Sequence, residues 1–600
     1  MSPQINELLY MLNPATFYKG RKDKLSMLLV QVKRQLWVSS MIRLTVFVLA
    51  ILGIYLFYDN SNYILLIVLI AAILFLFLVS RHTDLNYKKN KLLALISINE
   101  TELQVLDRKF YQLPDGNDFT DRGHFYSQDI DLFGKGSFYQ YCNRTSLAEG
   151  SKTLADLLTE NSIENVIEKQ EAIKELGLLT EWRQEFSAVA RLIKTEISSA
   201  SLISWLKTYQ PFVPNLMKWL PTVFSVFSLA VIGIYYFNYV SGWGLLLWFF
   251  IGLGIAGRYL RRINVLSQKI SKAQSSFQQY QKLILLLENI EFQSGYLNNE
   301  KDNILEEGVK VSQVLKQFSQ MLNAFDQRNN MLFGIVANGF LLWDLRYGYA
   351  IEKWMGVHGY QVGQWLNTIA FFDAYNSLGN FAFNHPDYTF PEISKNNLII
   401  EAVNVSHPML DPSEGVTNNF KICREEFFVI TGANMAGKST FLRTISLQIV
   451  MANMGLPVCA TSLRYQPIKL ITSMRTVDSL TEHESYFFSE LKRLKFIIDN
   501  IKEDEYFIVL DEILKGTNST DKAIGSKKFI EKLVSSNSTG LIATHDLSLC
   551  EVAKSLEKVD NYYFDAAIVN DELHFDYKFK KGICQNMNAS FLLKKMKIVE

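Results

Sequence analysis

Between an apolar run, Phe427-Phe-Val-Ile-Thr431, and a helical stretch opening at Ser439 lies Gly432-Ala-Asn-Met-Ala-Gly-Lys-Ser439. Gly, four residues, then Gly-Lys-Ser is the spacing of a phosphate-binding loop, and it works only between a strand and a helix. Few folds meet that condition. The strand must end inside a sheet and the helix must start beyond its end, which is an α/β layer. Glycines let the backbone bend around a phosphate chain so that successive N–H groups point inward. The expected cradle runs through Gly432, Ala433, Asn434, Met435, Ala436, Gly437, Lys438, Ser439 and Thr440. The helix start adds its positive dipole end. Lys438 is placed to reach the β and γ phosphates and Ser439 to ligate Mg²⁺.

Downstream, Tyr506-Phe-Ile-Val-Leu510 is a buried-strand pattern that ends in Asp511-Glu512. Acidic residues after an apolar strand are common alone. Paired with the loop at Gly432 they form the second half of a nucleotide hydrolase site. Asp511 is expected to hold Mg²⁺ directly or through water. Glu512 is expected to accept the proton of the attacking water, or to orient it. Leu541-Ile-Ala-Thr544-His545 is another strand with a polar end, and His545 there suits a γ-phosphate sensor.

The 600 residues suffice for about three or four domains. A formal charge of +1 excludes a global basic excess, though not a local basic face. Cys142, Cys423, Cys459, Cys550 and Cys584 are scattered without a CxxC pair, which predicts free thiols in a reducing compartment. The first residues lack the basic-then-apolar order of a signal peptide.

Four runs are intensely apolar: Leu44 to Tyr58, Tyr63 to Val79, Leu220 to Phe237 and Trp243 to Ala256. Each is short against the ~20 residues of a bilayer span, but interfacial Tyr, Trp and Ser extend it. Lys33, Arg34 and Arg43 precede the first run, and Arg81, Lys88, Lys89 and Lys91 follow the second. Lys207 and Lys218 precede the third, and Arg258, Arg261 and Arg262 follow the fourth, while neither short connector carries Lys or Arg. The positive-inside rule then predicts two hairpins entering from the cytosol, the localisation of a multi-pass protein of a bacterial inner or cell membrane.

The organisation expected is a basic amphipathic segment over 1–40, a first membrane hairpin over 41–80, helical core over 81–215, a second hairpin over 216–260, long helices over 261–395 and a nucleotide domain over 396–600. No proline occurs between Pro221 and Pro386, which suits long helices. Ile263, Leu266, Ile270, Ala273, Phe277, Tyr280, Ile284 and Leu287 form a heptad seam. Either a lever leaving the membrane or one face of a bundle has that pattern. Met331 to Leu345 contains Asn338 and ends at Asp344, which predicts a core helix rather than a fifth span. From Asn397 onward, β-rich runs (Leu398–Ile400, Phe427–Thr431, Tyr506–Leu510, Leu541–Thr544) alternate with helices, which predicts a parallel sheet.

Thr431-Gly-Ala-Asn-Met-Ala-Gly-Lys-Ser-Thr-Phe-Leu-Arg443 resembles the phosphate loop of the MutS family of mismatch-repair ATPases, with Asn434-Met435 its distinctive part. Met451-Ala-Asn-Met-Gly-Leu-Pro-Val-Cys-Ala460, Ser485-Tyr-Phe-Phe-Ser-Glu490, Asp511-Glu-Ile-Leu-Lys-Gly-Thr-Asn-Ser519 and Ala543-Thr-His-Asp546 resemble later family segments, in family order. A weaker likeness covers Asp131 to Thr145, Phe390-Pro-Glu392 and Ser406-His-Pro408. The resemblance implies an α/β C-terminal P-loop NTPase domain of the ABC type found in MutS, here preceded by an all-α core with the two membrane hairpins. It implies ATP and Mg²⁺ as ligands and a homodimer of ATPase domains, with Ser485 approaching the partner's nucleotide. Tyr577 is a candidate for stacking on adenine. The chain lacks the family's N-terminal mismatch-reading domain, and its second hairpin lies where a DNA clamp is normally inserted. DNA binding is therefore implied by resemblance alone, beside membrane lipid as a partner. Two other outputs fit an ATPase on a membrane: solute transport, or a nucleotide-gated scaffold without DNA.

Overall fold

A computed structural model describes residues 13–193, 198–306, 309–433, 435–475, 486–515, 518–569 and 572–585. Asn434 and Ser485 lie outside the described residues.

The chain opens with two long antiparallel helices, α1 (Pro14–Leu56) and α2 (Ser61–Leu106). Asn13 caps α1 by accepting from Ala15 N at 2.9 Å, and Pro14 takes the first helical position, where its missing N–H costs nothing. Asn60 caps α2 in the same way. The junctions expected near residues 40 and 80 fall inside these helices, so the basic segment and the apolar hairpin are one continuous pair. Its two halves differ. Leu25, Leu29 and Val32 pack against Leu92, Leu95 and Ile98, with Ala188 beneath. Farther out Phe47 is 58% exposed and Leu65 71% exposed, and their apolar neighbours are similarly bare.

The inner end is fastened by buried polar groups. Tyr18 on α1 donates to Asn384 at 2.7 Å, Asn380 and Asn384 donate to Glu102 on α2, and Arg144 closes on Glu102 at 2.6 Å. Every group in that node has a partner, which makes such burial tolerable. Asn380 and Asn384 belong to a long buried helix, α8, introduced below.

The second apolar pair is α3 (Leu220–Tyr236) and α4 (Gly242–Gly257). Among the described residues two helices, α1 and α2, are long and apolar enough to cross a membrane. The number is three if α4 and Leu260–Ser271, bent from it by 66°, count as one span. The expectation of a second hairpin equal to the first is thus altered: α3 falls short on length and α4 turns sharply into α5 (Leu260–Glu288). All eight seam residues of α5 are buried. The seam packs on α6 (Val311–Asp326), with Phe277 meeting Phe318 edge-on at 4.9 Å. The seam is a face of the bundle. Helix α7 (Met331–Leu341) departs from its expected core position. It packs on α4 so closely that a Cβ at Gly252 would lie 2.2 Å from Gly339 O, yet its Leu332 is 80% exposed. A small-residue face toward α4 and a bare apolar face make α7 part of the second apolar cluster. Helix α8 (Val362–Asn384) is almost wholly buried and forms the axis of the bundle.

The C-terminal domain has two sheets. In a mixed four-stranded sheet, Glu392–Ile393 lies beside β4 (Ser462–Tyr465), which pairs with β1 (Leu398–Val405), which pairs with β2 (Asn418–Cys423). Leu398–Ile400 therefore joins antiparallel neighbours rather than the parallel sheet. The larger sheet runs Lys580–Lys581, β8 (Val559–Phe564), β3 (Phe427–Gly432), β7 (Thr539–Ala543), β6 (Tyr506–Asp511), β5 (Lys469–Ser473). All but Lys580–Lys581 are parallel, and β3 is buried at every position, as a strand covered on both faces must be. Helices α9 (Lys438–Asn453), α10 (Tyr486–Asn500) and α11 (Ser519–Ser535) connect the strands. Asp131 joins the core to this domain through Arg443 at 3.1 Å and Arg475.

Candidate nucleotide-binding site

Register brings the predicted residues together. Ala543 is level with Asp511 on one side and Ile430 on the other, so β6, β7 and β3 end side by side. The residues that follow these ends face one cleft of about 660 Å³, the size of a small-molecule site. Ala433, Met435, Ala436, Gly437, Lys438, Ser439, Thr440, Asp511, Glu512, His545 and Tyr577 all line it, while Gly432 closes β3 behind it.

The turn from β3 into α9 needs its glycines. Gly432 has φ +150°, and a Cβ there would lie 2.6 Å from Phe564 O. Gly437 has φ +98° and faces the Tyr577 ring, whose Cδ1 would be 3.0 Å from an added Cβ. Met435 adopts φ 66° and points outward, 79% exposed. Lys438 is buried, and its Nζ donates back to Gly432 O at 2.8 Å and Ala433 O at 3.0 Å. Burial lowers its pKa, while Asp511 and Glu512 act the other way. Ser439 Oγ donates to Asp511 Oδ2 at 2.5 Å. Two hard oxygens on adjoining elements are a donor set that suits Mg²⁺.

Glu512 follows Asp511 in a left-handed turn (φ 51°), and Leu514 repeats it (φ 60°). Glu512 N donates to Ala543 O at 2.9 Å, and Glu490 of α10 accepts from Leu514 N at 2.5 Å. The carboxylate of Glu512 meets His545 Nε2 at 2.7 Å and Lys515 Nζ at 3.5 Å. The hydrogen bond from His545 holds the Glu512 carboxyl down at about 2, against its partial burial. Nε2 also lies 3.4 Å from Lys438 Nζ. One ring nitrogen cannot donate to Glu512 and accept from Lys438 together, so the tautomer that fits carries its proton on Nε2.

The opposite wall sets two carboxylates, Asp411 and Glu414, among apolar groups. Val405, His407, Leu410 and Val416 line it, and burial pushes His407 down to about 4, so the ring is neutral near pH 7. His407 Nδ1 accepts from Met409 N at 3.2 Å. Asn418 Nδ2 donates to Tyr577 O at 3.0 Å and ties that segment to β2. Sequence reasoning assigned Ser406-His-Pro408 only to a connecting segment and passed over Lys515. Both were within quoted motifs, but their place against the cleft depends on contacts far apart in the chain.

These strand ends and this glycine turn define an α/β domain with a cleft lined by both lysines and carboxylates at the carboxyl edge of a parallel sheet. Residues 428–597 match the family MutS domain V. Over 234 residues the chain is 31% identical to MutS protein homolog 4 of Homo sapiens, covering 37% of this chain and 24% of that protein. It is 32% identical over 226 residues to DNA mismatch repair protein MutS of Finegoldia magna, covering 36% and 26%. It is 29% identical over 214 residues to DNA mismatch repair protein MSH4 of Arabidopsis thaliana, covering 34% and 26%. Residues 428–597 of the chain are thus similar to MutS domain V. The chain spans about a quarter of the length of the curated relatives it matches.

Proposed function

We propose that the chain is an ATPase that binds Mg·ATP in this cleft and is held to a membrane by its α1–α2 hairpin. The observation that carries the reading is the convergence of Lys438, Ser439, Asp511, Glu512 and His545 on one cleft from three strand ends. Lys438, now bonded to loop carbonyls, transfers its N–H bonds to the β and γ phosphates. The backbone from Gly432 to Thr440, including Asn434, wraps the phosphate chain. Ser439 and Asp511 hold Mg²⁺, which when bound offsets the charge of the phosphates. Glu512 takes a proton from the attacking water as its oxygen bonds to the γ phosphorus and the bond to the bridging oxygen breaks. His545 holds Glu512 in place and ionised. Tyr577, with His407 and Leu410 of the opposite wall, receives the base.

The reading extends to a homodimer in which Ser485 completes the partner's site, and to DNA as the target. The chain's likeness to DNA mismatch repair proteins supports DNA. The bare apolar faces of α1 and α2 support the membrane.

The deciding experiment measures ATP hydrolysis by the full chain in detergent, with and without duplex DNA, at low and high salt. Hydrolysis that Glu512→Gln abolishes while ATP stays bound is the expected result. DNA stimulation that fades with salt supports the DNA arm. Hydrolysis untouched by Glu512→Gln refutes the assignment of this cleft, and indifference to DNA at low salt removes DNA as the target.

A further inference from the structure

Where their apolar stretches begin, α1 and α2 part around a second cleft of about 260 Å³. Arg34 and Arg81 line it, with Val38, Ile42 and Leu78 as apolar wall and Ser39 at its base. Ser39 is 4% exposed, and its hydroxyl has no hydrogen-bond partner. A buried hydroxyl left so is unfavourable, and a ligand acceptor would remove that cost. Next along each helix, Arg43 Nε and His82 Nδ1 are also enclosed without partners.

The charges tell the same story. Nearer the core the basic residues of this hairpin are paired: Lys22 with Glu100 at 3.0 Å, Arg21 with Glu181 and Lys91 with Glu185. Among the described residues Arg34, Arg43 and Arg81 have no carboxylate partner. Arg34 and Arg81 share this cleft without an anion, and each offers donors in the fork that matches a phosphate. The outer side of the cleft adjoins bare apolar surface, including Trp37, Leu76 and Phe77. An exposed tryptophan beside arginines is the pattern of a membrane–water boundary.

We propose that this cleft seats the phosphate of an anionic phospholipid headgroup. Arg34, Arg81 and the Ser39 hydroxyl donate to the phosphate oxygens, and the acyl chains lie along Val38, Ile42 and Leu78. A free phosphate ion would leave that apolar wall in water. The proposal rests on the reading of α1 and α2 as membrane helices.

The test uses the full chain purified in a neutral detergent and offered equal amounts of phosphatidylglycerol and phosphatidylcholine. Retained lipid is counted by native mass spectrometry. Phosphatidylglycerol is expected to be retained selectively. Arg34→Gln and Arg81→Gln should each reduce its retention about five-fold, as expected for one basic side chain at a membrane surface. Arg34→Lys should keep most of it, and Ser39→Leu, which fills the cleft without touching a charge, should lose it. Lys88→Gln, outside the cleft, should change nothing. Equal retention of both lipids overturns the proposal, as does selective retention unaltered in Arg81→Gln and Ser39→Leu. Displacement of the lipid by millimolar inorganic phosphate would make this a free-phosphate site and also overturn it. Carbonate washing of membranes holding the wild type separates the two levels. Release of the protein sinks the membrane reading itself, whereas a protein that stays put but shows no lipid preference sinks only this site.

Discussion

Arg108 reaches Leu410 across the junction between the long hairpin and the nucleotide cleft. Its Nη2 donates to Leu410 O at 2.9 Å and its Nη1 to Pro408 O at 2.9 Å. Arg108 stands two residues beyond the end of α2, in a left-handed turn (φ 61°), with its guanidinium 5.3 Å from the Tyr141 ring centroid. Leu410 lines the cleft. A single unbroken helix thus connects the bare apolar end of the hairpin to the wall on which the nucleotide base is proposed to rest.

The first prediction follows from that contact. Arg108→Ala removes two charge-assisted bonds to backbone carbonyls, each worth about 1.5–3 kcal/mol when shielded from water. The surface position discounts this, and we expect ATP affinity to fall about tenfold, within the range of one such bond. A fluorescence titration with labelled nucleotide checks it. Wild-type affinity would show that the wall holds its shape without Arg108.

Lys438→Ala should weaken ATP binding by about tenfold or more, the value of one charged hydrogen bond to phosphate. The fold should survive, because Lys438 bonds only to carbonyls of its own loop and to a histidine edge. Unchanged affinity in isothermal titration would remove the cleft as the nucleotide site.

Glu512 and His545 make a pH-dependent pair. The folded carboxyl sits at about 2, below its ordinary 4.5. The hydrogen bond to ionised Glu512 therefore adds stability that is fully present above the ordinary value and is lost as pH falls from there through about 2. His545→Ala removes the main cause, so the Glu512 carboxyl returns toward 4.5. The acid limb of the kcat profile should move upward in that variant. Coincident acid limbs in variant and wild type would separate His545 from Glu512. Glu512→Gln itself should lower kcat by about 10²–10⁴-fold, the range for a general base, with ATP affinity kept.

Glu490 acts on the site from α10. It is buried, and it accepts the N–H groups of Leu514 and Lys515, just past the Asp511-Glu512 pair. Glu490→Ala leaves the Leu514 N–H unpaired at a cost of about 1–3 kcal/mol and frees a strained turn. We expect kcat to fall with little change in KM for ATP. A proportional rise in KM with kcat intact would place Glu490 in binding instead.

Charge placed on the bare face of α2 tests the membrane. Leu65→Asp with Leu69→Asp puts two carboxylates into an exposed apolar face, at about 2.5–3.5 kcal/mol each in a bilayer centre. The variant should leave the membrane fraction on carbonate washing while keeping ATP binding. Firm retention would mean this face does not contact lipid.

The chemistry of the cleft was legible in the sequence where it is local. Gly432 to Ser439 sits within eight consecutive residues, and Asp511-Glu512 ends a run whose apolarity marks a buried strand. Backbone conformation there depends on glycines and on the strand just before, so neighbours in the chain suffice. The apolar runs were legible for the same reason. Their continuation was not: neither proline nor glycine interrupts the chain from Lys33 to Leu44, so α1 passes through the expected boundary. Met331–Leu341 shows the limit from the other side. Asn338 suggested a core, but Gly252 and Gly339 let α7 settle on α4 instead.

By itself, then, the amino-acid order determined which groups this protein has for phosphate chemistry and which stretches prefer to avoid water. Only the tertiary structure decided their company. Strand register set Lys438, Asp511 and His545 at one sheet edge, and helix packing carried Arg108 to Leu410 and left Arg34 and Arg81 unpaired around Ser39. The reason is physical: glycine turns and hydrophobicity act on adjacent residues, whereas pairing across 72 or 302 positions exists only once burial has fixed the geometry.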